Sequence, residues 1–578
     1  MLYKKKYQEW IQNPYFNEET KQELLKIQDN EKEIEDRFYK DLEFGTGGLR
    51  GIIGAGTNRM NRYTVRKATQ GLANYILKHQ EKGKKGVAIA YDSRHMSTEF
   101  AKEAALVLNG NNIPTYIFES LRPTPELSFA VRELQCIAGI MITASHNPSE
   151  YNGYKVYSSD GGQITPPKDI EIIHEVNQVQ NYQQVKRMNK NEAVEAGYYH
   201  IIGEEIDRKY VDAIKEQCIL PDQIEKGSQD LKIVYTPLHG TGNIPVRQAL
   251  QEVGFKNVWV VPEQEKPDPN FSTVSYPNPE DPKAFTYAIA LAKEKKADLI
   301  IGTDPDADRV GVLVKDSSGE YIVLTGNMTG ILLMDYILGQ RKKLGILPEN
   351  GAVITTIVST KMSKAIAEYY NITLFEVLTG FKFIGEKIKE FEKTGEYTYL
   401  FGFEESYGYL AGTHARDKDA VVSTVLVCEL AAYYKNQGMT LYEALQALYK
   451  KYGYYRETLS SMTFKGIKGM EQIQTILESL RNQPPLSVIE KEVVEIRDYQ
   501  AQSIHNLKTD KKTSITLPSS NVLYFVLEDG SWFCARPSGT EPKIKFYFGV
   551  REKEEKMADH KLQLLSQAVI EYIQQMLS

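Results

Sequence analysis

VAIAYDSR, residues 87–94, is apolar almost throughout before it turns polar, and it is followed by the helical pattern TEFAKEAALVLNG and the β-rich TYIFES. Strand, amphipathic helix, strand is the content of a βαβ unit, whose helix crosses between parallel strands. The same order recurs twice. KIVYTPLHGTG (232–242) precedes VRQALQEVGF and VWVVPE, and AVITTIVST (352–360) precedes KAIAEYYN and LFEVLTG. Such self-similarity decides architecture before any motif does. Each unit continues with a further helix (PELSFAVRELQ, KAFTYAIALAKEKK, FIGEKIKEFEK) and a further strand. Each then ends in a polar loop: TASHNP after CIAGIMI, TDPDADR after ADLIIG, FEESYG after YTYLFG. Open α/β sheets take ligands beyond the carboxyl ends of their strands, so these loops are the candidate functional positions.

The C-terminal part departs from this pattern. NVLYFVLEDGSWFCARPSGTEPKIKFYFGV contains two β-runs joined at Asp529–Gly530, a hairpin signal, then a third run after RPSGTEPK and a closing helix over 560–577. It predicts a smaller α+β domain. The stretch 480–520, with KTDKKTSITLPSS, is richer in Pro, Gln and Ser and predicts an exposed loop.

At 578 residues the chain has room for about four domains. A net charge of −6 supplies no field for nucleic acid, so an anionic ligand needs local cations. Cys136, Cys218, Cys428 and Cys534 form no CxxC pair, which fits a reducing compartment. MLYKKKYQEWIQNPYF lacks the apolar core of a signal peptide. AVVSTVLVCELAAYY is too short for a bilayer and contains Glu429, so it predicts a buried helix. The expectation is a cytoplasmic protein with neither membrane nor nucleic acid as partner.

The loops carry the chemistry. Asp304, Asp306 and Asp308 crowd three carboxylates after an apolar strand, which is costly unless a cation offsets them. Hard oxygen ligands suit Mg²⁺, Mn²⁺ or Ca²⁺, though Arg309 and Lys315 occupy positions an EF-hand needs as glycine and glutamate. A solvated polar turn is the alternative. Ser145 lacks a GxSxG elbow, and nothing nearby orients His146 as its base, so a capping serine in a strand-to-helix turn competes with a nucleophile. EFGTGGLRG (43–51) is either a glycine turn or an anion nest with Arg50, since it is neither a P-loop nor GxGxxG. RPSGTEPK (536–543) gathers a guanidinium, two hydroxyls, a glycine amide and Lys543, a set suited to phosphate, with a plain polar turn as the alternative. FEESYG (403–408) puts Glu404 and Ser406 on one side of an extended segment, where they suit sugar hydroxyls or an ion pair.

Taken together, TASHNPxxxNGxKxY, DPDADR, FEES and RPSGTEPK resemble, in order and over nearly the whole chain, the four signature loops of the α-D-phosphohexomutases. The nearest branch by these loops joins phosphoglucomutases and phosphopentomutases. The resemblance implies an α/β fold of three related domains with mixed sheets, plus a C-terminal α+β domain of TATA-binding-protein-like type, around one central cleft. The domains would be 1–205 with the phosphoserine loop, 206–325 with the metal loop, 326–455 with the sugar loop and 456–578 with the phosphate loop. Ser145 would carry a phosphoryl group and, with Asp304, Asp306 and Asp308, hold one Mg²⁺. Lys155, His146 and Arg50 would assist transfer. Arg309, Lys382, Glu404, Ser406, Arg536, Ser538, Gly539 and Thr540 would bind the substrate's phosphates and hydroxyls.

The implied activity interconverts glucose 1-phosphate and glucose 6-phosphate, primed by glucose 1,6-bisphosphate, in a monomer or weak homodimer acting on a small phosphosugar. Pentose or mannose phosphates are alternative substrates, and a metal-dependent sugar phosphatase or a silent sugar-phosphate-binding protein are alternatives of another class. The metal loop has Pro305 and Ala307 where many members have glycines. The sugar loop has Tyr407–Gly408 where members acting on both mannose and glucose have glycine–histidine, which argues against mannose.

Overall fold

In the computed structural model the described residues are 2–577 apart from 46, 80, 82, 222–223, 225–229, 465 and 539–542, with backbone alone at 466–468. The chain forms two compact units, Met1–Thr329 with Phe381–Tyr442, and Gly330–Gly380 with Glu443–Ser578.

In the first unit, a six-stranded sheet runs in the order Gly48–Ile52, Tyr151–Ser158, Ala138–Ile142, Val87–Tyr91, Thr115–Phe118, Tyr199–Ile202. Its last four strands are parallel and its first three antiparallel, with Ala138–Ile142 common to both sets. Val87–Tyr91 and Ala138–Ile142 are buried at every residue, because helices cover both faces of a parallel core. A five-stranded sheet repeats the plan: Tyr321–Leu324, Val310–Lys315, Leu299–Thr303, Lys232–Thr236, Asn257–Val260. Here too the parallel strands end in an antiparallel return. A third return, Thr398–Glu404 into Gly408–Ala411, follows the helix Phe381–Thr394. The apolar stretch at 420–434 is indeed a helix, Ala420–Lys435, buried from Ala420 to Ala432. Its Glu429 is satisfied by accepting from the backbone N–H groups of Ile219 and Leu220.

The three polar loops therefore share one construction. Each leaves a buried strand and returns as its antiparallel neighbour, and each contains a non-glycine residue in the left-handed region: Ser145 (φ 51°), Ala307 (φ 48°) and Tyr407 (φ 64°). Two expectations change. The Ser145 loop leads into the strand Tyr151–Ser158 rather than a helix. Ser406 lies in the turn 405–407 rather than on an extended segment, because Tyr407 takes up the sharp reversal into Gly408.

In the second unit, Gly351–Thr356 and Thr373–Val377 pair in parallel around the helix Met362–Tyr370. The C-terminal sheet is antiparallel, ordered 454–463, 543–552, 532–537, 523–527, 491–498, 503–506, 511–514, and backed by the helices Gly466–Asn482 and Glu555–Leu577. The Asp529–Gly530 hairpin is present, pairing Leu523 with Ala535. The stretch 480–520, expected as an exposed loop, contains three strands, Lys491–Asp498, Ser503–Asn506 and Lys511–Ser514. Composition misleads there because these strands extend to the sheet's edge, where lysines and polar residues are favoured over an apolar face. Among the described residues no helix is long and apolar enough to cross a membrane.

Candidate active site

Ser145 sits just past the carboxyl end of Ala138–Ile142 and is 4% exposed. Its left-handed backbone is held from both sides: its N–H donates to Thr143 Oγ1 (2.8 Å), and its carbonyl accepts from Arg94 (2.6 Å). The Arg94 guanidinium also donates to the carbonyls of Asn147, Pro148 (2.8 Å) and Tyr151 (3.1 Å). It is buried against Asp92 and lies over the Phe271 ring. Four carbonyls of one loop thus converge on one cation. The outcome is a fixed Oγ, which donates to Asp304 Oδ2 at 2.7 Å and lies 3.1 Å from His146 Nδ1.

Asp304, Asp306 and Asp308 are buried, and one oxygen of each lies within 4.8 Å of the others. Asp304 Oδ1 folds the loop by accepting the N–H groups of Asp308 and Arg309, both at 3.0 Å. Thr124 braces Asp306 through its N–H and its hydroxyl, each at 2.9 Å. Asp306 Oδ1 and Asp308 Oδ1 are buried with no hydrogen-bond partner among the described residues. A hard cation is the group such oxygens suit. Burial, then repulsion from Asp306 and Asp308, pushes Asp304 well above the usual carboxyl range. Burial acts on Asp306 the same way, but the Lys155 ammonium outweighs it and holds that carboxylate low.

Lys155, on Tyr151–Ser158, reaches Asp306 (2.8 Å) and Asp308 (3.3 Å). Burial opposes its charge, yet these two aspartates keep it protonated. Burial, with Arg309 and Arg50 nearby, pushes the half-buried His146 imidazole well below its ordinary value, so it is neutral. Arg309 pairs with Glu280 at 2.7 Å, and Arg50 donates to Asn147 Oδ1 at 3.3 Å. Burial raises Glu404 to about 7 against the opposing pull of Lys418 and Arg309.

Lys418 went unread in the sequence. Its ammonium is buried between Asp308 (3.1 Å) and Asp417 (2.8 Å), and Tyr157 donates to the other oxygen of Asp417. It also explains Gly408, since a Cβ there would lie 2.3 Å from Lys418 Cδ. Arg94 was likewise missed, although it closes the quoted run YDSR; nothing local distinguishes it from a surface arginine. Burial lowers the Lys382 ammonium against the opposing pull of Asp169 and Glu386. Arg536 lies near the end of the strand Trp532–Pro537, and the Ser538 N–H donates to the Lys543 carbonyl at 2.7 Å. Gly539 and Thr540 lie outside the described residues.

Comparison with known proteins is consistent along the chain. Four domain models described as phosphoglucomutase/phosphomannomutase match: α/β/α domain I at residues 41–183, domain II at 208–319, domain III at 325–452 and the C-terminal domain at 487–564. A protein named phosphoglucomutase from Staphylococcus haemolyticus (strain JCSC1435) is 39% identical over 516 residues, covering 89% of this chain and 91% of that protein. Its namesake from Staphylococcus aureus (strain MRSA252) is 38% identical over 525 residues, covering 90% and 92%. Among solved structures, a putative phosphomannomutase from Thermus thermophilus superposes with a TM-score of 0.67 at 20% identity, over 93% of this chain and 99% of that one. The Paramecium phosphoprotein parafusin also gives a TM-score of 0.67, at 18% identity over 93% and 95%.

Proposed function

This chain belongs to the phosphoglucomutase/phosphomannomutase family, and from that premise we infer that it interconverts glucose 1-phosphate and glucose 6-phosphate through a phosphoserine enzyme and a glucose 1,6-bisphosphate intermediate. The name its curated relatives carry supports the substrate. One observation carries the chemistry: the Ser145 hydroxyl is hydrogen-bonded to a buried aspartate of a three-carboxylate cluster that has unpartnered oxygens.

In this reading Ser145 Oγ carries the phosphoryl group. The substrate's free hydroxyl attacks phosphorus, the bond from phosphorus to Ser145 Oγ breaks, and the hydroxyl's proton ends, in net balance, on the released Ser145 Oγ as the bisphosphate forms. The bisphosphate turns, Ser145 Oγ attacks the other phosphorus, the bond from that phosphorus to the sugar oxygen breaks, and the serine proton ends on that oxygen as the isomerised monophosphate leaves. Neutral His146, beside Oγ, is placed to take the serine proton in that second transfer. Mg²⁺ held by Asp304, Asp306, Asp308 and the Ser145 phosphoryl would offset charge on the transferring group. Lys155 adds a fixed positive charge, and Arg50, Arg309 and Lys382 serve the phosphates. Glu404 and Ser406 read hydroxyls, while Arg536, Ser538, Gly539 and Thr540 hold whichever phosphate is not reacting. We place the domain borders at 205, 325 and 455, and the enzyme in the cytoplasm as a monomer or weak homodimer primed by glucose 1,6-bisphosphate.

The test is intact-mass analysis of active protein together with a panel of glucose, mannose and ribose 1-phosphates. Mass should rise by one phosphoryl group in part of the sample, on Ser145, and glucose 1-phosphate should be turned over fastest. An active Ser145→Ala variant would refute the covalent route. Ribose 1-phosphate as the better substrate would reassign the activity to pentoses.

A further inference from the structure

The helix Thr124–Glu133 serves two places at once. Its first residue braces Asp306, as described above. Two residues on, Glu126 lines a cavity of about 180 Å³ that is walled by the helices Glu204–Lys215 and Asn243–Val253. Val211, Ile244 and Pro245 make an apolar side, and Arg122, Glu126, Asp207 and Thr241 a polar one.

The polar side has uneven hydrogen bonding. Arg122 spends Nε and Nη2 on the two oxygens of Asp207, each at 2.8 Å. Glu126, 1% exposed, keeps Oε1 3.9 Å from Arg122 with no hydrogen-bond partner among the described residues, and Thr241 Oγ1 is buried in the same condition. Native interiors rarely leave such atoms unmatched. Glu119 (3.4 Å), Asp207 and Glu126 all face the one Arg122 guanidinium, and burial, then a hydrogen bond with Asp207, pushes the Glu126 carboxyl well above its ordinary range. The proton held between Glu126 and Asp207 leaves Glu126 Oε1 and Thr241 Oγ1 without a donor, and an ammonium in that proton's place would supply one and pair with the carboxylate. The volume corresponds to about six waters, well below a drug-sized pocket.

We propose that this cavity binds a small organic monocation with an apolar body, an alkyl or arylalkyl amine, whose ammonium donates to Glu126 and whose hydrocarbon rests on Val211, Ile244 and Pro245. Its walls back directly onto the aspartate loop. The Thr241 N–H donates to the Pro305 carbonyl at 2.8 Å, and Gly240 is packed so tightly that a Cβ would lie 2.4 Å from Pro305 Cα. A guest held by Glu126, two residues along the helix from Thr124, and by Thr241 therefore pre-orders the loop, and occupancy tightens cation binding at Asp304–Asp308. This coupling rests on the metal reading above; the binding itself does not.

Benzylamine is the probe, with benzyl alcohol and benzoate as controls, on the full chain without metal. Saturation-transfer NMR should show saturable binding of benzylamine, weaker binding of the alcohol and none of benzoate. Glu126→Gln should weaken benzylamine about tenfold by removing a charge-assisted contact, with little change for the alcohol. Ile244→Trp, at the exposed rim, should abolish binding with turnover intact; Gln248→Trp serves if the first fails to fold. No saturable binding, or binding undiminished in a folded rim variant, overturns the site. With Mg²⁺ present, saturating benzylamine should lower the Mg²⁺ concentration for half-maximal activity about fivefold. An unchanged value there overturns the coupling alone.

Discussion

At Ser145 the backbone stands at φ 51°, where an L side chain crowds its own carbonyl at a cost of about 1–2 kcal/mol. Arg94 is what opposes relaxation, through four carbonyls of the loop. Arg94→Lys, unable to reach so many acceptors, should lower kcat by about tenfold to a hundredfold, one or two charge-assisted contacts' worth, with KM little changed. Added guanidinium ion should partly restore Arg94→Ala; steady-state kinetics with wild-type kcat in Arg94→Lys would sink this bracing role. Glu126 gives a prediction in pH. Its folded pKa lies well above the unfolded value of 4.5, so between the two the folded chain binds the extra proton. Its contribution is complete below pH 4.5 and is lost as pH rises. Urea unfolding from pH 5 to 8 should show wild type losing stability relative to Glu126→Gln. Arg94 and Lys418 were illegible because their meaning lies in partners 51 and 110 positions away (Ser145 and Asp308). Ser145 and the aspartates were legible because crowding three acids in five residues is costly enough to demand a reason.

Among elements, buried strands and amphipathic helices were readable from period alone, and so was the hairpin at Asp529–Gly530. The edge strands were not, since backbone pairing satisfies them whatever their side chains, and composition then reads as loop. The order of strands in each sheet was not readable either, because register is set by contacts between distant segments. The helix Ala420–Lys435 allows a sharper check on its one buried acid. Glu429 accepts from two backbone N–H groups at Ile219 and Leu220. Glu429→Ala should cost about 2–4 kcal/mol, because two buried donors lose their acceptor. Glu429→Gln, which keeps one acceptor oxygen, should cost less. Equal denaturation midpoints for the two variants would mean that packing, not the carboxylate, secures the 217–220 turn.

Over the whole molecule the metal reading becomes a statement about stability. A cation that binds the folded aspartate cluster and not the unfolded chain stabilises by mass action, about 2.7 kcal/mol at a hundredfold excess over Kd. Calorimetry should show the unfolding temperature rising with Mg²⁺ and indifferent to it in Asp306→Asn, whose turnover should fall by orders of magnitude. A chelator should abolish wild-type activity; full activity in excess chelator would count against the assignment. The threefold plan was visible because each repeat has one order of parts, whereas the pairing of Ser145 with Asp304 joins two repeats and neither contains it alone. The C-terminal sheet ends in Lys511–Ser514, exposed at every residue. An open edge is a template on which another copy's strand can add without limit, and Lys511 and Lys512 put two like charges on every such junction. Replacing both with valine should leave the fold and catalysis as they are and turn a well-behaved concentrated solution into one that gels or forms fibrils on standing.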